Sequence, residues 1–374
     1  MSVNALGIIF SNIHDEELNE ITKCRTMGSL PFGGRYRLID FALSNMHNSG
    51  VTSVGVIAKN NYQSLIDHLG SGKEWDLSRK REGLFIFPPF GRFNSGFYKN
   101  KVEALYGIID FIKKSSYDYI LLTDCDVICN LDWKVPLAYH ISKKADITIA
   151  YFYKNPEDDS SNDKTETIYS VSKDGFVTDI LLGQKLQKRS CVGTNIWIIG
   201  KNQLETILED AMAHNLENIE RDVFQKKLNS YKIAAWEFDG FIRKINSLND
   251  FFHANLDLLN PSIRKELFSK NGQINTKVLD EIPAFYGSSS NVSNSLIADG
   301  CLIEGSVENS ILFSSVHVGK NSRISNSIIM QDSKIGENVN LDYVLADKKV
   351  IFNDNRTLVG YNLRPIYIKK GSNV

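Results

Sequence analysis

The chain has 374 residues, 42% of them hydrophobic and 23% charged, with a formal net charge of −1. That length allows two domains and a sizeable core, and the balanced charge argues against a general nucleic-acid or membrane-surface binder. The start, MSVNALGIIFSN, lacks the basic region and long apolar run of a signal peptide, and no stretch approaches a membrane span. Cys24, Cys125, Cys129, Cys191 and Cys301 are scattered, without CxxC spacing, and read as reduced thiols of a cytoplasmic protein.

Up to about residue 257 the pattern alternates. Short β-branched runs read as buried parallel strands at 6–10 (LGIIF), 53–58 (SVGVIA), 119–124 (YILLTD), 146–152 (DITIAYF) and 195–199 (NIWII). Helical patterns lie between them at Tyr36 to Asn48, Tyr62 to Leu69 and Val102 to Lys113; in the last, Val102, Leu105, Ile108, Ile109 and Ile112 recur at helical spacing. This predicts a three-layer, Rossmann-like α/β domain over 1–257 with a mainly parallel sheet, whose ligands bind at the carboxyl ends of the strands. The polar, acidic run KNPEDDSSNDKTE (154–166) reads as a surface loop. Residues 258–290, with Pro261, Pro283 and GSSS, read as the connection to a second domain.

From 291 to 374 the texture changes. Asn294-Ser295-Leu296-Ile297 is echoed at Asn309-Ser310-Ile311-Leu312, at Asn326-Ser327-Ile328-Ile329 and loosely at Asp342-Tyr343-Val344-Leu345. Aliphatic residues recur every six positions, as in Leu312, Val318 and Ile324, or Ile329, Ile335 and Leu341. That period predicts a triangular parallel β-helix whose coils, of ~18 residues or somewhat fewer, share one core. A terminal coil of such a stack is suited to meeting another chain.

The motif LPFGGRYRLIDFALSNMHNSGV (30–51), together with HANLDLL (253–259) and the hexapeptides, resembles bacterial glucose-1-phosphate adenylyltransferase (ADP-glucose pyrophosphorylase) over essentially the whole chain. The resemblance implies a nucleotidyltransferase domain followed by a left-handed β-helix. It also implies a reaction joining ATP and glucose 1-phosphate into ADP-glucose and pyrophosphate in glycogen synthesis. Transfer at the α-phosphate needs cations over the phosphates, a carboxylate-held metal and a clamp on the sugar phosphate.

Each of these is altered. Against the family's Gly-Gly-x-Gly-Thr-Arg-Leu phosphate loop, in register with Pro31-Phe32-Gly33-Gly34, the glycines and arginine fall on Asn12, Ile13, Asp15 and Glu17, and the following lysine and proline on Met27 and Gly28. The loop needs glycines so that backbone N–H groups approach the triphosphate. The alternative is an ordinary strand-to-helix turn with Asp15, Glu16 and Glu17 at a helix N-terminus. Of the family's two Mg²⁺-binding aspartates, Asp126 is kept and the other position is Lys244. Lys244 is expected to reach Asp126 and stand in for the cation, or else to be an ordinary surface lysine. The sugar-phosphate lysine aligns with the stretch Leu182-Gly183-Gln184, with Lys185 close by, and the stretch near base and sugar reads Lys99-Asn100-Lys101-Val102-Glu103-Ala104. Lys99, Lys101 and Lys185 are therefore the substrate-site candidates. Arg25, Arg35 and Arg37 lie where the resemblance places an anionic-effector site.

Losing one electrostatic stabiliser commonly costs roughly 3 kcal/mol of barrier, so these losses together imply low or absent activity, and the chain resembles the divergent regulatory or D-type subunit that accompanies the catalytic one in this family. The resemblance implies a catalytic homologue as partner, in a heterotetramer, with self-association when alone. No cofactor is expected on this chain, with Mg²⁺ on the partner. Three other readings stand beside it: an active nucleotidyltransferase with rearranged ligands, a scaffold without an allosteric role, and a hexapeptide acyltransferase, for which His317 is the one histidine in the repeats.

Overall fold

A computed structural model describes the chain except for residues 1, 2, 14, 19, 89–97, 157–164 and 279 and the side chains at 16 and 17. The run at 6–10 lies in strand β1 (Ala5–Phe10), flanked in parallel by β2 (Ser53–Ile57) and β4 (Tyr119–Asp124), with β3 (Gly83–Phe87) beyond β2. Every β1 residue is buried because both sheet faces are covered. Leu6, Ile8 and Phe10 pack on one side with Val102, Leu105, Leu204 and Ile207. Ile9 packs on the other with Ile39, Leu43, Met46 and Val54.

The reading of 195–199 as a parallel strand is corrected. These residues lie in β9 (Ser190–Gly200), which runs antiparallel to both β4 and β6 (Ile147–Lys154). A buried apolar run signals burial and not direction. The chain returns to the sheet through the antiparallel pair β7 (Glu166–Val171) and β8 (Val177–Gln184), not through a crossover helix. The helix expected over 102–113 is two helices, α3 (Lys101–Gly107) and α4 (Ile109–Lys114). The eight residues 157–164 of the expected surface loop lie outside the described residues. Asn155 and Thr165 of that loop are exposed, whereas Lys154 closes β6 and Glu166, 3% exposed, opens β7.

The repeats form a three-sided parallel β-helix, each side a five-stranded sheet. Along one side the register partners are Phe285, Leu302, His317, Lys334 and Ile351, so one coil is two residues shorter than its neighbours. The six-residue aliphatics point inward: Val318, Ile324, Ile329, Ile335 and Leu341 share one core. Asn294, Asn309 and Asn326 turn the corners at φ 40°, 49° and 45°, a region asparagine tolerates better than most residues. The fourth echo is out by one. Ser325 pairs with Asp342, so the corner equivalent to Asn326 is Tyr343, at φ 51°, while Asp342 accepts the Asn326 amide at 2.9 Å.

The two quoted motifs meet. The Gly33 N–H donates to Asn255 Oδ1 at 2.9 Å. Phe32, Leu38, Phe41, Phe251 and Leu258 share a core with Phe313, Met330 and Leu345 of the β-helix. These sequences therefore build the domain junction. Within the 258–290 connection runs a helix, α8 (Pro261–Ser269), and Phe285–Tyr286 already pairs as a strand of the first coil. Gly33 sits at φ +60°, where a Cβ would come 2.7 Å from Leu258 Cδ1. Gly33→Ala is expected to cost roughly 1–3 kcal/mol in urea unfolding, from the left-handed backbone alone.

Candidate functional site

The carboxyl ends of β1 and β4 lie side by side, with Phe10 paired to Asp124. This crevice is where α/β sheets hold ligands. After β1 the chain makes a turn and two short 3-10 helices, Asp15–Leu18 and Met27–Ser29. Its backbone is held internally. Asp15 Oδ1 accepts the Met27 N–H at 2.7 Å, the Gly28 N–H donates to Ser11 O at 2.8 Å, and Thr22 Oγ1 donates to Asp15 O at 2.7 Å. A carboxylate thus occupies a backbone donor at the expected phosphate-loop position; His14 lies outside the described residues.

Beside this turn lies a cavity of about 240 Å³ whose lining includes Asn12, Lys59, Lys99, Lys101, Asn195 and Trp197. Two of the three substrate-site candidates face it. Lys101 is committed internally: its Nζ is 2.7 Å from Asp124 Oδ2 and lies 4.4 Å from the Trp197 ring centre. An ammonium neutralised by a carboxylate that is 1% exposed has little charge to offer a phosphate. Lys99 opens the turn before α3, its backbone N–H donating to Glu103 at 2.8 Å. Lys185 is exposed past the end of β8 and lines neither this cavity nor the larger cleft described next.

The larger cleft, about 750 Å³, is lined by Lys154, Arg189, Arg243, Lys244 and His253, and by Asn362 from the β-helix. Asp126, fully buried, lies just past β4, before β5 (Val127–Cys129), and its Oδ2 accepts the Asn195 amide at 2.9 Å. Strand β11 (Ile242–Lys244) runs antiparallel to β5 with Lys244 opposite Val127, and the Ile245 N–H donates to Asp126 O at 2.7 Å.

The expected contact of Lys244 with Asp126 is corrected. The Lys244 ammonium pairs with Glu166 at 3.1 Å, and Asp126 acts on it at longer range. Glu166 also holds Lys154 at 3.0 Å and the Asn246 amide at 3.4 Å. Burial opposes charge on Lys244, yet Glu166 and then Asp126 raise its pKa above the ordinary lysine value. Burial likewise opposes charge on Glu166, and Lys244 and Lys154 outweigh it, holding its carboxyl below the usual range. The surface-lysine alternative fails, since the Lys244 side chain is only 11% exposed. Sequence reasoning missed Glu166 because it ends a run of acidic and polar residues; the alternation of the following TIYSV is the one signal that a strand begins there.

A hard divalent ion needs several carboxylate or carbonyl oxygens. Here Asp126 accepts an amide N–H and its cross-strand neighbourhood supplies an ammonium. Among the described residues no group of three His, Cys, Asp or Glu could hold a metal ion. The residues present do not fit Mg²⁺.

The three arginines do not form one cluster. Arg25, 4% exposed, pairs with both carboxylate oxygens of Asp347 in the β-helix, at 2.8 and 2.5 Å. Its Nη1 is buried without a hydrogen-bond partner among the described residues. Arg37 donates to Ser64 and lies close enough to Lys348 to act on it electrostatically. Burial, then Arg37 and Arg25, with Lys370 adding and Asp347 opposing, push the Lys348 ammonium down to about 7. Arg35 is exposed beside a different cavity with Gly33, Gly34, Lys277 and Asp299. Lys348 and Lys370 were invisible to sequence reasoning because they join Arg25 and Arg37 only through the docking of the β-helix.

The fold is that of a nucleotidyltransferase-type α/β domain carrying a β-helix. The profile of nucleotidyl transferases matches residues 12–162, and that of the GlmU-like C-terminal hexapeptide region matches 283–365, identifying the left-handed β-helix. The chain is 33% identical to the glycogen biosynthesis protein GlgD of Bacillus subtilis, over 98% of this chain and 96% of that one. It is 31% identical to the glucose-1-phosphate adenylyltransferase of Desulforamulus reducens over 94% and 88%, and 33% to that of Fusobacterium nucleatum over 85% and 83%. The chain belongs to the glucose-1-phosphate adenylyltransferase family.

Proposed function

We propose that this chain is a regulatory, catalytically deficient subunit of glucose-1-phosphate adenylyltransferase in glycogen biosynthesis, working in the cytoplasm. It acts by joining a catalytic homologue in a hetero-oligomer, a heterotetramer in the leading reading, and raising its activity. The observation that carries this reading is that pocket cations are spent internally, Lys101 on Asp124 and Lys244 on Glu166. These ammonium groups are neutralised within the protein and are not left to meet a phosphate. The regions that build the domain junction, PFGG and HANLDLL, are intact and in contact. Among the described residues no helix is long and apolar enough to cross a membrane, in keeping with this reading. Mixing the chain with a catalytic homologue tests it. Co-elution with a raised rate supports a regulatory subunit, co-elution with unchanged kinetics supports a scaffold, and separate elution contradicts both.

The effector site belongs to the same proposal, with a changed membership. Arg37 and Lys370 act electrostatically on Lys348 at the domain junction, a set that suits a small anion such as a sugar phosphate; Arg25 is committed to Asp347, and neither it nor Arg35 is part of the set. A folded-state pKa near 7 lies far below the ordinary lysine value, so Lys348 becomes charged as pH falls through 7, and that charge is unfavourable until an anion arrives. Sulfate, whose charge is constant over this range, is expected to raise the thermal midpoint more at pH 6 than at pH 8. Lys348→Met should flatten that difference. Equal protection at both pH values, or none, would remove the site.

A further inference from the structure

Glu166 pairs with both Lys154 and Lys244, and Asp126 and Glu220 act on Lys244 at longer range, so this ammonium stands among carboxylates beside the large cleft. Lys244 is held from two directions. Its backbone stands in the β5–β11 ladder opposite Val127, and the next N–H, of Ile245, is tied to the Asp126 carbonyl. Its side chain is clamped by the buried Glu166 carboxylate. An ammonium fixed in this way, with Asp126 engaged by Asn195, supplies the positive charge that the buried Glu166 and Asp126 carboxylates require.

From this geometry we infer that Lys244 is a built-in cation that closes the pocket to divalent metal and makes the folded state indifferent to Mg²⁺. The inference deepens the non-catalytic reading and rests on it in one respect, that a regulatory chain needs no metal in this pocket. Its readout is metal binding, whereas the regulatory reading is judged by ADP-glucose formation, so either can fail while the other stands. Replacing Lys244 with aspartate should remove this cation and add a carboxylate beside Glu166 and Asp126, a donor set suited to a hard cation.

Mn²⁺ titration of the full chain, followed by loss of the free-ion electron paramagnetic resonance signal, tests this. The unaltered chain should show no saturable site at millimolar Mn²⁺, and Mg²⁺ or EDTA should leave its thermal midpoint unchanged. Lys244→Asp should gain one site per chain, bound on the order of 100-fold more tightly or better, since a cation beside the site becomes an anion. Asp126→Asn in that background should remove the new site. A folded Lys244→Asp chain that binds no Mn²⁺ would overturn the inference. So would a saturable site in the unaltered chain that Asp126→Asn abolishes, a measurement that stands even where Lys244→Asp does not fold.

Discussion

Glu166→Ala is expected to destabilise the chain by about 3–5 kcal/mol, the size of effect seen when one partner of a buried ion pair is removed. The substitution leaves the ammonium groups of Lys154 and Lys244, 15% and 11% exposed, without their shared counter-charge. Longer-range attraction to Asp126 remains for Lys244, which sets a limit on the loss. Glu166→Gln keeps an acceptor oxygen for only one of the two lysines and turns an N–H donor toward the other, so it should cost nearly as much while preserving the side chain's shape. The acid limb separates charge from shape. The Glu166 carboxyl is held below its ordinary value, so its contribution is complete above the ordinary carboxylate range and is lost as pH falls through the depressed folded value. Urea unfolding between neutral and acid pH should show that limb in the unaltered chain and a shallower one in Glu166→Gln.

Asp347→Ala should be comparably damaging, again about 3–5 kcal/mol, because the Arg25 guanidinium stays buried beside Arg37 and Lys348 with its counter-charge gone. Removing the other partner is milder. In Arg25→Met, Asp347 keeps the Tyr367 hydroxyl at 3.2 Å and the Lys348 N–H at 2.7 Å. Arg25 and Asp347 are 322 positions apart and lie in different domains, so the defect should concentrate at the junction. Limited proteolysis within 258–290 should accelerate in Asp347→Ala before the β-helix itself is cut. Equal effects of the two substitutions on urea unfolding would contradict this account.

Legibility from sequence followed the range of the interactions. The β-helix was readable because each coil repeats a local rule, an aliphatic inside every six residues and an asparagine at a left-handed corner. It slipped by one at Tyr343, where a bulky side chain takes the corner and the neighbouring Asp342 imitates the asparagine. The parallel centre of the sheet was readable from continuous β-branched runs, but the direction of 190–200 was not, since direction is set by the connection and not by the strand. At the pocket, the loss of the glycines and the exchange at Lys244 were visible from alignment of motifs. The partners were not. Glu166 lies 78 positions from Lys244 and Asp124 lies 23 from Lys101, and neither spacing has a local signature. The same holds for Lys348, which meets Arg25 and Arg37 only once the domains have docked.

The central claim is that the fold is kept for its surfaces while its pocket is closed by its own ion pairs. The most direct measurement is ADP-glucose formation from ATP, glucose 1-phosphate and Mg²⁺ by the purified chain, by a catalytic homologue, and by the homologue titrated with increasing amounts of the chain. The account predicts no turnover above background for the chain alone, and a saturable rise in the homologue's rate that levels off at a fixed ratio of the two. Robust turnover by the chain alone, abolished by Asp126→Asn, would contradict it.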